Sequence, residues 1–343
     1  MKIFYFSKII ILLLFLSSCG QRHPCPEICS VDEQFITERN VALNLDSLAV
    51  WHGPTGEHWI IATAKSGNIL PVYDAVTGKL IKQIGEPGTG LGQLSRPNGI
   101  AVAGDLLFIV ERDNKRLQIF SLPEGRFLGM TEGVLEKPYG IAVIPDDNSG
   151  YIAYVTDDSS RSGRNDPRKI FSYHIILQDD KVAITLIKSF GDESGPGALL
   201  KVESIVADKQ HNRLIIADEF KRERNLKIYT LDGIFTGIVI GKNLFMHDPE
   251  GIALYETDAQ NGYIIATDQD FHQNCFYLFD RKTLEHLVTF KGAHAINTDG
   301  IAVTNQAFGP FNDGALYVMS DDGNVCAYNW QDIVGQCHLN DPE

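Results

Sequence analysis

One six-residue phrase recurs six times along this 343-residue chain and leaves few folds open. It reads Leu45-Asp46-Ser47-Leu48-Ala49-Val50, Pro97-Asn98-Gly99-Ile100-Ala101-Val102, Pro138-Tyr139-Gly140-Ile141-Ala142-Val143, Val202-Glu203-Ser204-Ile205-Val206-Ala207, Pro249-Glu250-Gly251-Ile252-Ala253-Leu254 and Thr298-Asp299-Gly300-Ile301-Ala302-Val303. The copies begin at 45, 97, 138, 202, 249 and 298, close to the period of about 40–50 residues of a four-stranded propeller blade. Six copies predict an all-β, six-bladed β-propeller.

Each phrase runs from a polar residue through Gly or Ser into a short apolar stretch with a small residue inside it. Such a stretch is a strand buried on both faces, and the Gly permits close backbone approach. The polar residue therefore falls where each innermost strand enters the central channel. Round the ring these are Asp46, Asn98, Tyr139, Glu203, Glu250 and Asp299. Asp and Asn also cap turns, but turn capping does not favour Glu. The second strand of each blade ends on polar residues too: Lys65, Glu111-Arg112, Asp157-Asp158, Asp218-Glu219, Asp268 and Asp321-Asp322. These predict an outer ring about the same mouth.

Gln34 to Leu43 is a strand without a blade, and the last blade, with Gly300–Val303, Ala315–Met319 and Val325–Trp330, lacks one. The N-terminal strand is expected to close the propeller there. Ahead of it, Lys2 and Lys8 flank the apolar run Ile9–Leu16, as in a secretory signal. Leu16-Ser17-Ser18-Cys19-Gly20 resembles a bacterial lipobox, whose Cys takes the lipid. The expected organisation is a signal peptide over 1–18, a tether over 19–33 and the propeller over 34–343. The protein is expected to be an exported monomer in the bacterial outer membrane or at the cell surface, touching the membrane only through a lipid on Cys19.

Losing Lys2 and Lys8 with the signal takes the net charge from −14 to −16, which argues against nucleic acid as partner. Beyond Cys19 the cysteines are Cys25, Cys29, Cys275, Cys326 and Cys337, an odd number that leaves one thiol over. The local pairs Cys25–Cys29 and Cys326–Cys337 are the expected bridges.

Two sets of carboxylates at one mouth raise each other's pKa unless a counter-charge is present. The donors are oxygens, so the matching ion is hard: Ca2+ first, Mg2+ second. Asp46, Asp268 and Asp321 are candidate ligands on this reading. Lys65, Arg112 and the basic loop of the third blade, with Arg161, Arg164, Arg168 and Lys169, suit an anionic phosphate ester as small-molecule partner.

The stretches Val202-Glu203-Ser204 to Asp218-Glu219, Asp248-Pro249-Glu250-Gly251 to Asp268, and Thr298-Asp299-Gly300-Ile301 to Asp321-Asp322-Gly323 resemble the β-propeller phytases, six-bladed calcium-dependent phosphatases of inositol hexakisphosphate. The resemblance implies that Glu203, Glu219, Asp248, Glu250 and Asp299 carry calcium, and that Tyr139 contacts the metal. It implies Glu203, Glu219 and Tyr139 as catalytic residues, and Lys65 and Arg112 as phosphate holders. The first two blades depart from the family pattern: Ser47 replaces an acid and Leu48 a proline, and Pro97–Val102 lacks an acid and an arginine. Two other classes stay open. Six-bladed calcium lactonases hold one ion through Glu, Asn and Asp, a role open to Glu203, Asn98 and Asp299. NHL-like binding propellers are suggested by Arg96-Pro97-Asn98-Gly99-Ile100 and by Asp113 to Ile119.

Overall fold

The phrase strands stand around a central axis, and each carries its blade outward by antiparallel pairing. In the computed structural model, which describes residues 28–147, 149–159 and 167–339, six such sheets form a six-bladed β-propeller. Blade 1 is Leu45–His52, His58–Ala64, Leu70–Asp74 and Leu80–Ile84, and blade 2 is Pro97–Ala103, Leu106–Glu111, Arg116–Ser121 and Arg126–Met130. Blade 3 is Pro138–Pro145, Tyr151–Asp157, Lys169–Gln178 and Lys181–Phe190; blade 4 is Ile205–Asp208, Arg213–Asp218, Asn225–Thr230 and Phe235–Ile240. Blade 5 holds Ile252–Glu256, Gly262–Asp268, Cys275–Asp280 and His286–Lys291, and blade 6 holds Ile301–Thr304, Ala315–Ser320 and Asn324–Asn329.

The core lies between blades. Trp51 and Ile61 of blade 1 pack with Leu107 and Ile109 of blade 2, and Ile144 and Tyr154 of blade 3 with Leu214 and Ile216 of blade 4. Burial on both faces is what the continuous apolar runs of the second strands require.

The N-terminal segment closes the ring as expected. Phe35 pairs antiparallel with Ala327, and Gln34 N–H and Thr37 N–H donate to Ala327 O and Val325 O. The strand itself is shorter than the Gln34–Leu43 stretch, spanning Phe35–Ile36. Ile28–Ser30, expected in the tether, instead adds a parallel fifth strand to blade 5 against Thr289, Phe290 and Lys291.

That strand corrects the cysteine pairing: the bridge is Cys29–Cys337, across 308 residues. A helix, Trp330–Gln336, follows blade 6 and delivers Cys337 to the edge where Cys29 arrives. Cys326 is a free thiol fully buried between blades 5 and 6, unavailable to Cys337, and Cys275 is free and partly buried. The signal, Cys19 and Cys25 lie outside the described residues, as do Arg161 and Arg164. Among the described residues no helix is long and apolar enough to cross a membrane.

Candidate metal centre

The polar residue of each phrase is aimed by its backbone. In blades 1 to 3 the register of the innermost strand shifts across Asp46-Ser47, Asn98-Gly99 and Tyr139-Gly140. A bulge there turns a side chain out of the ladder. In blades 4 to 6 the strand begins only after Glu203, Glu250 and Asp299. Neighbouring phrases are also tied together. Gly140 N–H donates to Thr156 Oγ1 at 2.7 Å, and Thr156 Oγ1 donates to Glu203 O at 3.1 Å. Ser47, Thr63 and Asn98 repeat this relay at 3.0 and 2.7 Å. The next two residues of every phrase, from Ser47-Leu48 round to Gly300-Ile301, line a narrow channel cavity of 60 Å3.

Part of the outer ring has a different role from the one expected. The last acid of the second strand braces the loop that precedes its own phrase. Glu111 accepts from Ser95 N–H at 2.9 Å, and Asp157 from Glu136 N–H at 2.7 Å and Lys137 N–H at 3.1 Å. Asp218 accepts from Leu200 N–H and Lys201 N–H at 2.9 and 3.1 Å, and Asp268 from Met246 N–H and His247 N–H at 3.1 and 2.7 Å. Asp268, a candidate ligand on sequence grounds, thus holds a loop and also accepts from Tyr277 Oη. Asp321 is paired with Arg39 at the rim. Neither joins the carboxylate groups described next.

Glu203, Glu219 and Glu250 each bring a carboxylate oxygen to within 4.8 Å of the others. Lys201 Nζ lies among them, paired with Glu219 and at 3.9 Å from Glu203 Oε1, 3.7 Å from Asp248 Oδ2 and 3.9 Å from Glu250 Oε1. Arg224 Nε holds the other oxygen of Asp248 at 3.1 Å. A second group forms where blade 6 meets blade 1: Lys65 Nζ lies 2.8 Å from Asp46 Oδ1 and 3.0 Å from Asp299 Oδ2, and Gln269 Nε2 donates to Asp299.

One ammonium per group leaves the carboxylates short of positive charge. Burial first, then Asp46, pushes Glu203 up to about 7 despite Lys201. Burial and Asp46 likewise push Asp299 up to about 7. Glu219 and Glu250 are held well above the ordinary carboxylate range by burial and by Glu203. Burial opposes the charged form of both lysines, but the carboxylates outweigh it, Glu219 first for Lys201 and Asp46 first for Lys65, and both stay cationic. Tyr139 belongs to the same neighbourhood: burial, then Glu203 and Asp46, raise its phenol.

A hard cation fits these residues. Glu219 is 1% exposed and its Oε1 has no donor within reach among the described residues; the fully buried Asn98 amide also lacks partners there. An ion about 2.4 Å from each ligand oxygen bridges oxygens up to about 4.8 Å apart. The expected phosphate-holding cations are already engaged: Arg112 Nε with Asp113 at 2.8 Å, Arg168 Nε with Asp158 at 2.9 Å, and Lys169 Nζ with Gly191 O at 2.9 Å. Sequence reasoning missed Lys201. It stands two residues before Glu203, the spacing that sets side chains on one side of an extended chain, and that was the available signal.

Residues 198–333 match the Phytase family model. The match spans blades 4 to 6. The matched segment contains Lys201, Glu203, Glu219, Asp248, Glu250 and Asp299, while Asp46, Lys65, Arg112 and Tyr139 precede it. It therefore coincides with the acidic group around Lys201. Together with the propeller, the match supports a phytase-type phosphatase. No curated protein matches the chain.

Proposed function

We propose that this protein is a calcium-dependent phosphomonoesterase that hydrolyses phytate or a related phosphate ester. The observation that carries the reading is the meeting of Glu203, Glu219 and Glu250 oxygens within 4.8 Å inside the segment that matches the Phytase family model. These three and Asp248 would hold calcium, with Asp46 and Asp299 as further oxygen ligands. When bound, the ion supplies Lewis acidity toward a phosphoryl oxygen and toward water.

None of the six ring residues is Ser, Cys or His, so the nucleophile we assign is water. Glu203, with Glu219 beside it, is assigned as the acceptor of the proton that water loses. Lys65 has three N–H donors, two of them directed to Asp46 and Asp299, and the third is free for a phosphoryl oxygen. Arg112 keeps its terminal N–H groups for the same task. Tyr139 stays protonated and donates to an anionic oxygen. Arg168 and Lys169 add positive charge on the blade 3 side.

The deciding experiment measures phosphate release from phytate and from simple phosphate esters in millimolar calcium and in chelator. Release should require calcium, and E203Q should lower kcat about 100-fold or more if it removes the proton acceptor. Opening of lactones without phosphate release would replace the phosphatase with a calcium lactonase. Neither activity would leave a binding propeller. We also propose export through residues 1–18 and membrane attachment through a lipid on Cys19; Cys19→Ser should move the protein out of the membrane fraction.

A further inference from the structure

We propose that Lys201 is a displaceable resident counter-ion: its ammonium fills the carboxylate hole of blades 4 and 5 when no divalent cation is bound, and must leave for one to enter. This rests on the metal reading given above and goes beyond it by naming the group that competes with the metal.

The geometry makes the two occupants exclusive. A hard divalent cation needs ligand oxygens at about 2.3–2.6 Å, and six or more of them. Lys201 Nζ already contacts Glu219 and lies 3.7–3.9 Å from Asp248, Glu203 and Glu250, so it stands in the space those oxygens would close around. Glu219 Oε1, buried and without a donor, shows that the ammonium does not satisfy the hole. One positive charge there faces four carboxylates; among the described residues Asp248 also pairs with Arg224, and Glu203 feels Lys65 from further off.

Lys201 can also leave cheaply. Its backbone N–H is held by Asp218, so its Cα stays fixed while the side chain, 37% exposed, has a route to solvent. Lys65 is more enclosed: its side chain is 11% exposed, and both of its ion pairs are at 3.0 Å or less. Of these two ammoniums, Lys201 is the mobile one.

Calorimetric titration of calcium chloride into the full chain, wild type against Lys201→Met and Lys201→Arg, tests this. Removing the competitor should tighten calcium binding at least tenfold in K201M, with K201R near wild type. In chelator K201M should melt lower than wild type, and calcium should raise its melting temperature more. Should K201M fail to fold, the wild type alone answers. Reductive methylation followed by mass spectrometry should find Lys201 protected in chelator and reactive in saturating calcium, with Lys65 protected in both. Equal calcium affinity in K201M and wild type, or no change in Lys201 reactivity, overturns the counter-ion role while leaving the metal reading intact. No calcium binding to either protein removes the metal reading and this inference with it.

Discussion

Gly140 lies so close to the backbone of Glu203 that a β-carbon at Gly140 would stand 1.9 Å from the Glu203 carbonyl oxygen. The contact joins blade 3 to blade 4 at the channel, and Gly300 makes the same approach to Asp46 O between blades 6 and 1, at 2.4 Å. The glycine of the phrase is thus what lets neighbouring inner strands crowd together and bring their acids to one mouth.

Gly140→Ala should therefore push the backbone of Glu203 away. The expected loss is at least about 1–3 kcal/mol, the usual cost of overpacking. Calcium should also stabilise this variant less than the wild type. Gly335, in the helix after blade 6 with open space at its β position, is the control. Gly335→Ala should be neutral or stabilising by up to about 1 kcal/mol. Urea denaturation with and without calcium checks both.

Calcium itself should raise the melting temperature. At about 100 times its dissociation constant, one ion adds about 2.7 kcal/mol. Glu203→Gln and Glu250→Gln should each shrink that gain, whereas Glu124→Gln, in an exposed outer turn of blade 2, should keep it. A melting temperature indifferent to chelator in the wild type would count against a metal centre.

Asp208 ties blade 4 to blade 5. Fully buried, it pairs with Arg213 Nη2 at 2.8 Å and Arg281 Nη2 at 2.7 Å. Asp208→Asn would take the paired anion from Arg213 and leave Arg281 with Glu256 alone, and should cost about 3–5 kcal/mol. Burial opposes the charge of Asp208, but Arg281 and Arg213 outweigh it and hold its pKa at about 2, below the ordinary 3.8 of an aspartate. The unfolded chain thus binds this proton more readily. The stability from Asp208 is present above about pH 4 and drains away as pH falls toward 2. Denaturation measured across that window should be flatter for D208N than for the wild type.

The Cys29–Cys337 bridge pins the first described strand to the helix after blade 6. Cys29→Ser, or reduction with dithiothreitol, should cost about 2–5 kcal/mol. Non-reducing peptide mapping should find Cys29 linked to Cys337, with the buried Cys326 alkylated only after unfolding.

Blade number, strand order and the positions of Asp46, Asn98, Tyr139, Glu203, Glu250 and Asp299 at the mouth were legible in the sequence. They are written as a repeat, and a repeat reports a geometry that every blade shares. Closure by the segment around Phe35 was legible for a related reason, since a missing strand in one blade and a surplus strand elsewhere can be counted. What separates Asp218 from Glu219 was not legible. They are adjacent acids at one strand end, yet the first turns back to hold Leu200 and Lys201 while the second joins the carboxylates of Glu203 and Glu250. The place of Lys201 and the partner of Cys29 were hidden in the same way. Each depends on which distant backbone happens to lie within a few ångströms, and only the closing of the ring brings those partners together.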